Sequence, residues 1–269
     1  MPELPEVETV RRTLENFILD KKIIDITFRY PNIIDGDIEE FKDSLVNKRF
    51  KEIDRVGKYL IFKLDDTAFV SHLRMEGKYL ICNKDDELSK HDHVIFDLDD
   101  GNQLRYNDVR KFGRMQLVDL NDYLLLKPLN KLGPEPFKAD VDNVYKALKN
   151  KQLPIKTALL DQSILAGIGN IYANEICYMM HLDPKTKASN LSKKRVKELI
   201  EVSCNILNEA IKQGGTTIHS FSSNGIDGLF QVQLKVHMKQ LCPLNHEIKK
   251  ITLNGRGTYY CPICQKAKR

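Results

Sequence analysis

The sharpest constraint on the fold is a change of periodicity, broken at Leu132-Gly133-Pro134-Glu135-Pro136. From about residue 48 to 118 the apolar residues come in short β-rich runs: Tyr59-Leu60-Ile61-Phe62, Ala68-Phe69-Val70, Tyr79-Leu80-Ile81, Val94-Ile95-Phe96 and Met115-Gln116-Leu117-Val118. Asp65-Asp66 and Asp99-Asp100-Gly101-Asn102 punctuate them as turns, the pattern of an antiparallel sandwich or barrel. The Gly-Pro-Glu-Pro stretch continues neither a helix nor a central strand, so a second domain is expected to start there. Beyond it the spacing is helical over about 141–150, 155–162, 170–180 and 192–213, stopping at Gly214-Gly215. A Ser/Gly/Asn-rich stretch from His219 to Gly228 reads as a mobile loop, and short β-like runs follow with the cysteines. The class is α+β.

At 269 residues the chain has room for two cores. No run reaches the ~20 apolar residues that cross a bilayer, and the acidic start does not resemble a signal peptide. The expectation is a soluble intracellular protein without membrane contact. The formal charge of +5 is uneven: residues 235–269 carry eight Lys/Arg against one Glu. A basic end fits a polyanionic partner, most commonly a phosphate backbone. Cys82, Cys177 and Cys204 lie far apart and read as buried reduced thiols.

Six local patterns carry chemistry. Removal of Met1 would leave Pro2 as a secondary amine, the one protein nitrogen that forms an iminium directly. An α-amino group titrates near ~7.7–8.0, so part of it is neutral and nucleophilic at physiological pH. Val7, Val10, Leu14, Phe17 and Ile18 recur at helical spacing, which puts Pro2 and Glu3 just before a helix. Glu3 and Glu6 suit acid/base catalysis or equally first-turn capping.

At the other end, Cys242-x3-His246, fourteen residues, then Cys261-x2-Cys264 supply three thiolates and an imidazole, the ligand set of a closed structural zinc site. Unliganded reduced cysteines are the alternative, because the first pair is not Cys-x2-Cys. Arg256, between glycines, suits a phosphate or a solvated surface. His72-Leu73-Arg74-Met75 and Asp108-Val109-Arg110-Lys111-Phe112-Gly113 join cations to apolar side chains; Met75 and Phe112 are groove wedges or core residues. Leu165-Ala166-Gly167-Ile168-Gly169-Asn170 is an anion-binding helix start or a plain connection between helices.

Together these residues resemble the formamidopyrimidine-DNA glycosylase family (Fpg/MutM) over essentially the whole chain. The resemblance rests on Pro2-Glu3-Leu4-Pro5-Glu6-Val7-Glu8-Thr9, Gly57-Lys58-Tyr59, His72 to Tyr79, Asp108 to Gly113, Leu132 to Pro136, Gly167 to Tyr172 and Gly255-Arg256-Gly257-Thr258, in the expected order. The Glu-Leu-Pro opening is closer to this family than to the endonuclease VIII group, which typically begins Pro-Glu-Gly-Pro.

The resemblance implies an N-terminal antiparallel β-sandwich with flanking helices (1–133), a helix-two-turn-helix domain with a lesion-covering loop around 215–231 (134–233), and a zinc finger (234–269). Duplex DNA carrying oxidised bases or abasic sites would lie between the domains. Pro2 would be the nucleophile, Glu3 the general acid/base, Glu6 a supporting carboxylate and Lys58 a cation near the lesion. Met75, Arg110 and Phe112 would intercalate, His72, Asn170 and Arg256 would hold phosphates, and one structural Zn²⁺ would sit on Cys242, His246, Cys261 and Cys264. The implied activity is excision of oxidised purines with abasic-site lyase cleavage. A catalytically silent damaged-DNA binder and an enzyme for oxidised pyrimidines are the alternatives. Three departures stand out: His246 where the family has its second Cys, Val236-His237-Met238 where it has Val-Tyr-Gly, and Ile218-His219-Ser220 where it has Leu-Arg-Asp.

Overall fold

The computed structural model describes residues 1–216 and 233–266, and the chain divides into two compact units. The first unit holds residues 1–130 with Gly214–Thr216; the second holds 131–213 and the described residues from 233 on. The expected loop from His219 to Gly228, with Ile218, lies outside the described residues.

In the first unit, α1 (Leu4–Ile18) starts at a capping box: Glu3 N–H donates to Glu6 Oε2 at 2.8 Å, and the Glu3 side chain accepts from the Glu6 backbone. Its face Val7, Val10, Leu14 and Ile18 is buried, whereas Phe17, expected on that face, is 46% exposed. β1 (Ile23–Phe28) and α2 (Ile38–Leu45) follow, then β2 (Glu52–Val56), β3 (Tyr59–Lys63), β4 (Ala68–His72), β5 (Lys78–Asn83), β6 (Asp92–Leu98), β7 (Asn102–Asn107) and β8 (Arg114–Val118). They form two four-stranded antiparallel sheets, β1-β6-β7-β5 and β2-β3-β4-β8.

One apolar core joins them. Phe62 and Phe69 stack with centroids 4.5 Å apart, and Phe69 stacks on Phe96 of the other sheet at 5.7 Å. Leu60, Phe62 and Phe69 from one sheet and Val94, Phe96 and Leu104 from the other are all fully buried, the arrangement of a sandwich. The expected sandwich with helices against it is present.

In the second unit, Gly133 packs so closely on the 162–166 turn that a Cβ there would lie 2.4 Å from the Ser163 carbonyl. The helices are α3 (Val141–Lys149), capped by Asp140, then α4 (Ile155–Leu159), α5 (Asn170–Met179) and α6 (Lys193–Lys212), capped by Ser192. A hairpin of β9 (Lys249–Leu253) and β10 (Arg256–Tyr260) closes the unit. Its connecting residues Asn254 and Gly255 both have positive φ, 46° and 72°, matching a two-residue turn of the tight hairpin type. The metal-ligand residues flank this hairpin on turns; none of the four lies within a strand, contrary to the expectation that β-runs carry them. A thiolate cluster must converge on one point, which a turn allows and an alternating strand does not.

Candidate functional site

The first unit gathers Pro2, Glu3, Glu6 and Lys58, all buried, around the start of α1. Glu6 has two neighbours at once. Its Oε2 accepts from Glu3 N–H, and its Oε1 accepts from Thr216 N–H at 2.8 Å and Thr216 Oγ1 at 3.0 Å. The α-amino group at the chain start is held below its ordinary value, chiefly by burial and secondarily by the Lys58 charge, against the opposing carboxylates of Glu3, Glu6 and Glu76. The amine with this lowered value belongs to Met1; removal of Met1 would leave the next nitrogen, that of Pro2, beside the same two carboxylates, a secondary amine with proton acceptors at hand.

His72 ends β4. Its Nδ1 accepts from Arg74 N–H at 2.9 Å, so the neutral ring carries its proton on Nε2. Burial, then the Arg74 and Lys58 charges, push its pKa down to about 3. The ring is therefore a neutral N–H donor, with Tyr59 edge-on at 4.5 Å. Met75 is half-buried.

The loop after β7 leaves Phe112 outside the core: it is 48% exposed, with the Arg110 guanidinium over its ring at 4.6 Å. What shapes the loop is Asp108, which is fully buried. Its carboxylate accepts the N–H groups of Arg110 (3.0 Å), Phe112 (2.9 Å) and Gly113 (2.9 Å). The sequence reading gave Asp108 no role of its own. An aspartate followed by a short run ending in glycine is the available signal, since that side chain bonds nearby backbone readily.

In the second unit, Asn170 opens α5, but its side chain is engaged: Oδ1 accepts from Lys156 Nζ, and Nδ2 donates to the Gly257 carbonyl at 3.1 Å. Lys156 also reaches the Gly257 carbonyl at 3.4 Å and is fully buried. Asn170 is thus a strut between α4, α5 and β10, and its partner Gly257 directly follows exposed Arg256. Lys156 escaped the sequence reading; the lone cation in Ile155-Lys156-Thr157-Ala158-Leu159 was its only mark. His237 Nδ1 meets Asn174 Nδ2 at 2.7 Å, and its ring lies 5.0 Å from Tyr259. The carboxylate of Glu175 accepts the N–H groups of Lys235, Val236 and His237 at 2.7, 3.1 and 2.8 Å. That clamp places the segment entering the finger.

Cys242, His246, Cys261 and Cys264 bring their ligand atoms within 4.8 Å of one another, a cluster able to hold a metal. Cys242 Sγ lies 3.9 Å from Cys264 Sγ, and His246 Nδ1 lies 3.3 Å from Cys264 Sγ. A tetrahedron with Zn–S bonds of ~2.3 Å has S···S edges of ~3.8 Å, so the residues fit zinc. Burial pushes the Cys242 thiol up, but the N–H groups of His246 and Leu244 and the Tyr178 hydroxyl bring it down to about 6.

The sequence matches the family model for the formamidopyrimidine-DNA glycosylase N-terminal domain over residues 1–115 and the one for its H2TH domain over residues 132–222. The chain belongs to the formamidopyrimidine-DNA glycosylase family. The formamidopyrimidine-DNA glycosylase of Ligilactobacillus salivarius is 47% identical over the full length of both chains, and that of Oceanobacillus iheyensis is 44% identical over 100% of this chain and 99% of the relative. Among solved structures, Lactococcus lactis Fpg with DNA containing an abasic site is 40% identical with a TM-score of 0.93, covering 98% of this chain and 100% of that one. The complex of Lactococcus lactis Fpg with DNA containing Fapy-dG is 39% identical with a TM-score of 0.92 and the same coverage. As in the family, the chain joins antiparallel sheets to a helical H2TH region and a C-terminal hairpin. Among the described residues no helix is long and apolar enough to cross a membrane.

Proposed function

We propose that this chain is a bifunctional DNA glycosylase and abasic-site lyase that excises 8-oxoguanine and formamidopyrimidines from duplex DNA. The observation that carries the reading is the buried group of Pro2, Glu3, Glu6 and Lys58 at the start of α1. A protein that only bound phosphates would need none of it. Loss of Met1 exposes the Pro2 nitrogen, which attacks C1′ as the damaged base leaves with a proton. Glu3 passes protons during opening of the sugar ring, and Glu6 holds the Glu3 backbone in place. The secondary amine gives a cationic iminium that draws electrons from C2′, so a proton leaves C2′ and the 3′ phosphate departs. A second elimination releases the 5′ phosphate.

Phe112 and Met75 enter the stack while Arg110 occupies the place of the everted nucleotide. His72 donates Nε2–H to a phosphate, and Arg256 supplies charge to another. The basic C-terminal stretch adds affinity. Zinc on Cys242, His246, Cys261 and Cys264 supplies folding free energy to a hairpin too small for its own core. We further place the protein in the bacterial cytoplasm as a monomer, with the sandwich, helical and finger parts divided at 133/134 and 233/234.

Borohydride trapping tests the reading. With duplex containing an abasic site, a covalent adduct at Pro2 is expected. Its absence in protein lacking Met1 would leave a silent damaged-DNA binder, and product ratios on paired lesion substrates distinguish purine from pyrimidine preference.

A further inference from the structure

Glu8 is 8% exposed, yet it carries a charge and faces three guanidiniums. Arg11 reaches it with Nε at 3.1 Å and Nη2 at 3.0 Å, Arg12 with Nε at 2.7 Å, and Arg55 with Nε at 3.0 Å. Burial pushes this carboxyl up, but the bonds from Arg11, Arg12 and Arg55 outweigh it and hold the group at about 2. Arg11 and Arg12 come from the same helix as Glu8. Arg55 does not: it lies on β2, and its Nη1 donates to the Gly57 carbonyl at 3.0 Å. Gly57 sits at φ 58° in the tight turn between β2 and β3, and the next residue is Lys58.

One planar guanidinium therefore joins the helix that begins at the nucleophile to the turn that presents the catalytic cation. Apolar packing of Val7, Val10 and Leu14 on the sheet fixes how far α1 stands off, but it is non-directional and leaves sliding along the helix axis soft. The bond from Arg11 Nη1 to the Ile53 carbonyl at 3.1 Å, together with the Arg55 fork, supplies direction. Resting on the function proposed above, we infer that Arg55, anchored on Glu8, is a positioning residue that sets the placement of Lys58 relative to the Pro2 nitrogen.

Arg55 is the informative site to change because Glu8 keeps Arg11 and Arg12 when it is lost, so no bare buried charge results. The Arg55→Ala variant is expected to bind duplex carrying an uncleavable abasic analogue within about twofold of the parent. Its single-turnover borohydride trapping rate should fall at least about tenfold, a loss expected when reacting groups are displaced by about 1 Å. The acid limb of its trapping profile should also move to higher pH, since a Lys58 charge held near the Pro2 amine disfavours its protonated form, as it does at the Met1 amine. An Arg55→Lys variant keeps the charge but replaces the planar fork by a single ammonium. It should show a smaller loss in the same direction, and it decides the matter if the alanine variant does not fold. Trapping within twofold of the parent and an unmoved pH limb in either folded variant would overturn the inference while leaving Pro2 as nucleophile. If the parent formed no adduct at Pro2, the functional reading and this inference would fall together.

Discussion

Thr216 donates twice to one oxygen of Glu6, through its N–H at 2.8 Å and its hydroxyl at 3.0 Å, while the other Glu6 oxygen holds the Glu3 backbone. A residue late in the chain thereby completes the support beneath its first few residues. Removing the hydroxyl in Thr216→Val is expected to cost about 1.5–3 kcal/mol, the usual worth of a hydrogen bond to a charged group. Gly215→Ala should be worse for catalysis: the position has φ 79°, and a Cβ would stand 2.8 Å from Glu6 Oε1. Denaturant titrations and single-turnover cleavage check both; parental values in Gly215→Ala would show that Glu6 tolerates displacement.

Phe112 is half-exposed, so Phe112→Ala should change stability by less than about 0.5 kcal/mol while lowering lesion cleavage about tenfold or more. Asp108→Ala should do the reverse first, destabilising the fold because the backbone N–H groups of Arg110, Phe112 and Gly113 lose a buried acceptor. Thermal melts beside fluorescence of 2-aminopurine next to the lesion separate the two effects. Equal melting losses in both variants would refute the division of labour.

Two histidines make stability depend on pH. Burial, with nearby cations, lowers His72 to about 3 and His237 to about 4. Both are neutral when folded and take up a proton on unfolding below about pH 6.5, so their contribution is complete above that pH and declines as pH falls toward those values. Between pH 7 and pH 5 the expected loss is about 2 kcal/mol per histidine. Comparing the parent with His72→Gln and His237→Gln by urea unfolding at both pH values cancels the carboxylates; slopes identical to the parent's would contradict the burial argument.

One zinc per chain is expected by metal analysis, and His246→Ala should lose most of it, because the Nδ1 beside Cys264 would supply the fourth ligand. Chelation should unfold the hairpin of β9 and β10 and weaken duplex binding. Full zinc content in the variant would remove His246 from the set.

Arg256 projects from the Asn254-Gly255 turn and is exposed. Arg256→Ala should weaken binding to damaged and undamaged duplexes alike and reduce the slope of log affinity against log salt by about 0.9. An effect confined to one lesion would point to base recognition instead.

Much of this was legible from spacing alone. Val7, Val10 and Leu14 marked α1, and the helices of the second unit were placed to within a few residues, since long apolar periods dominate there. β7 was hidden because Asn102-Gln103-Leu104-Arg105-Tyr106-Asn107 buries polar side chains. Arg105 is 1% exposed, with its guanidinium donating to the carbonyls of Asn83, Asp86 and Glu87. β1 was obscured by an irregularity of register between Ile23 and Asp25, and α2 is eight residues with only Phe41 and Leu45 buried. At the site, residue types announced Pro2, Glu3 and the thiols. The struts Asp108, Lys156, Glu175 and Thr216 were not announced, because their partners are backbone groups or side chains far along the chain.

The buried carboxylate of Asp108 has one further consequence. Because the backbone behind Arg110 and Phe112 is already tied down, the proposed thrust of these side chains into duplex DNA would give up little chain freedom. The time spent at each step would then be governed by how firmly the stacked bases resist being parted. Weakened pairs would yield soonest, so discrimination would begin before any everted nucleotide is read.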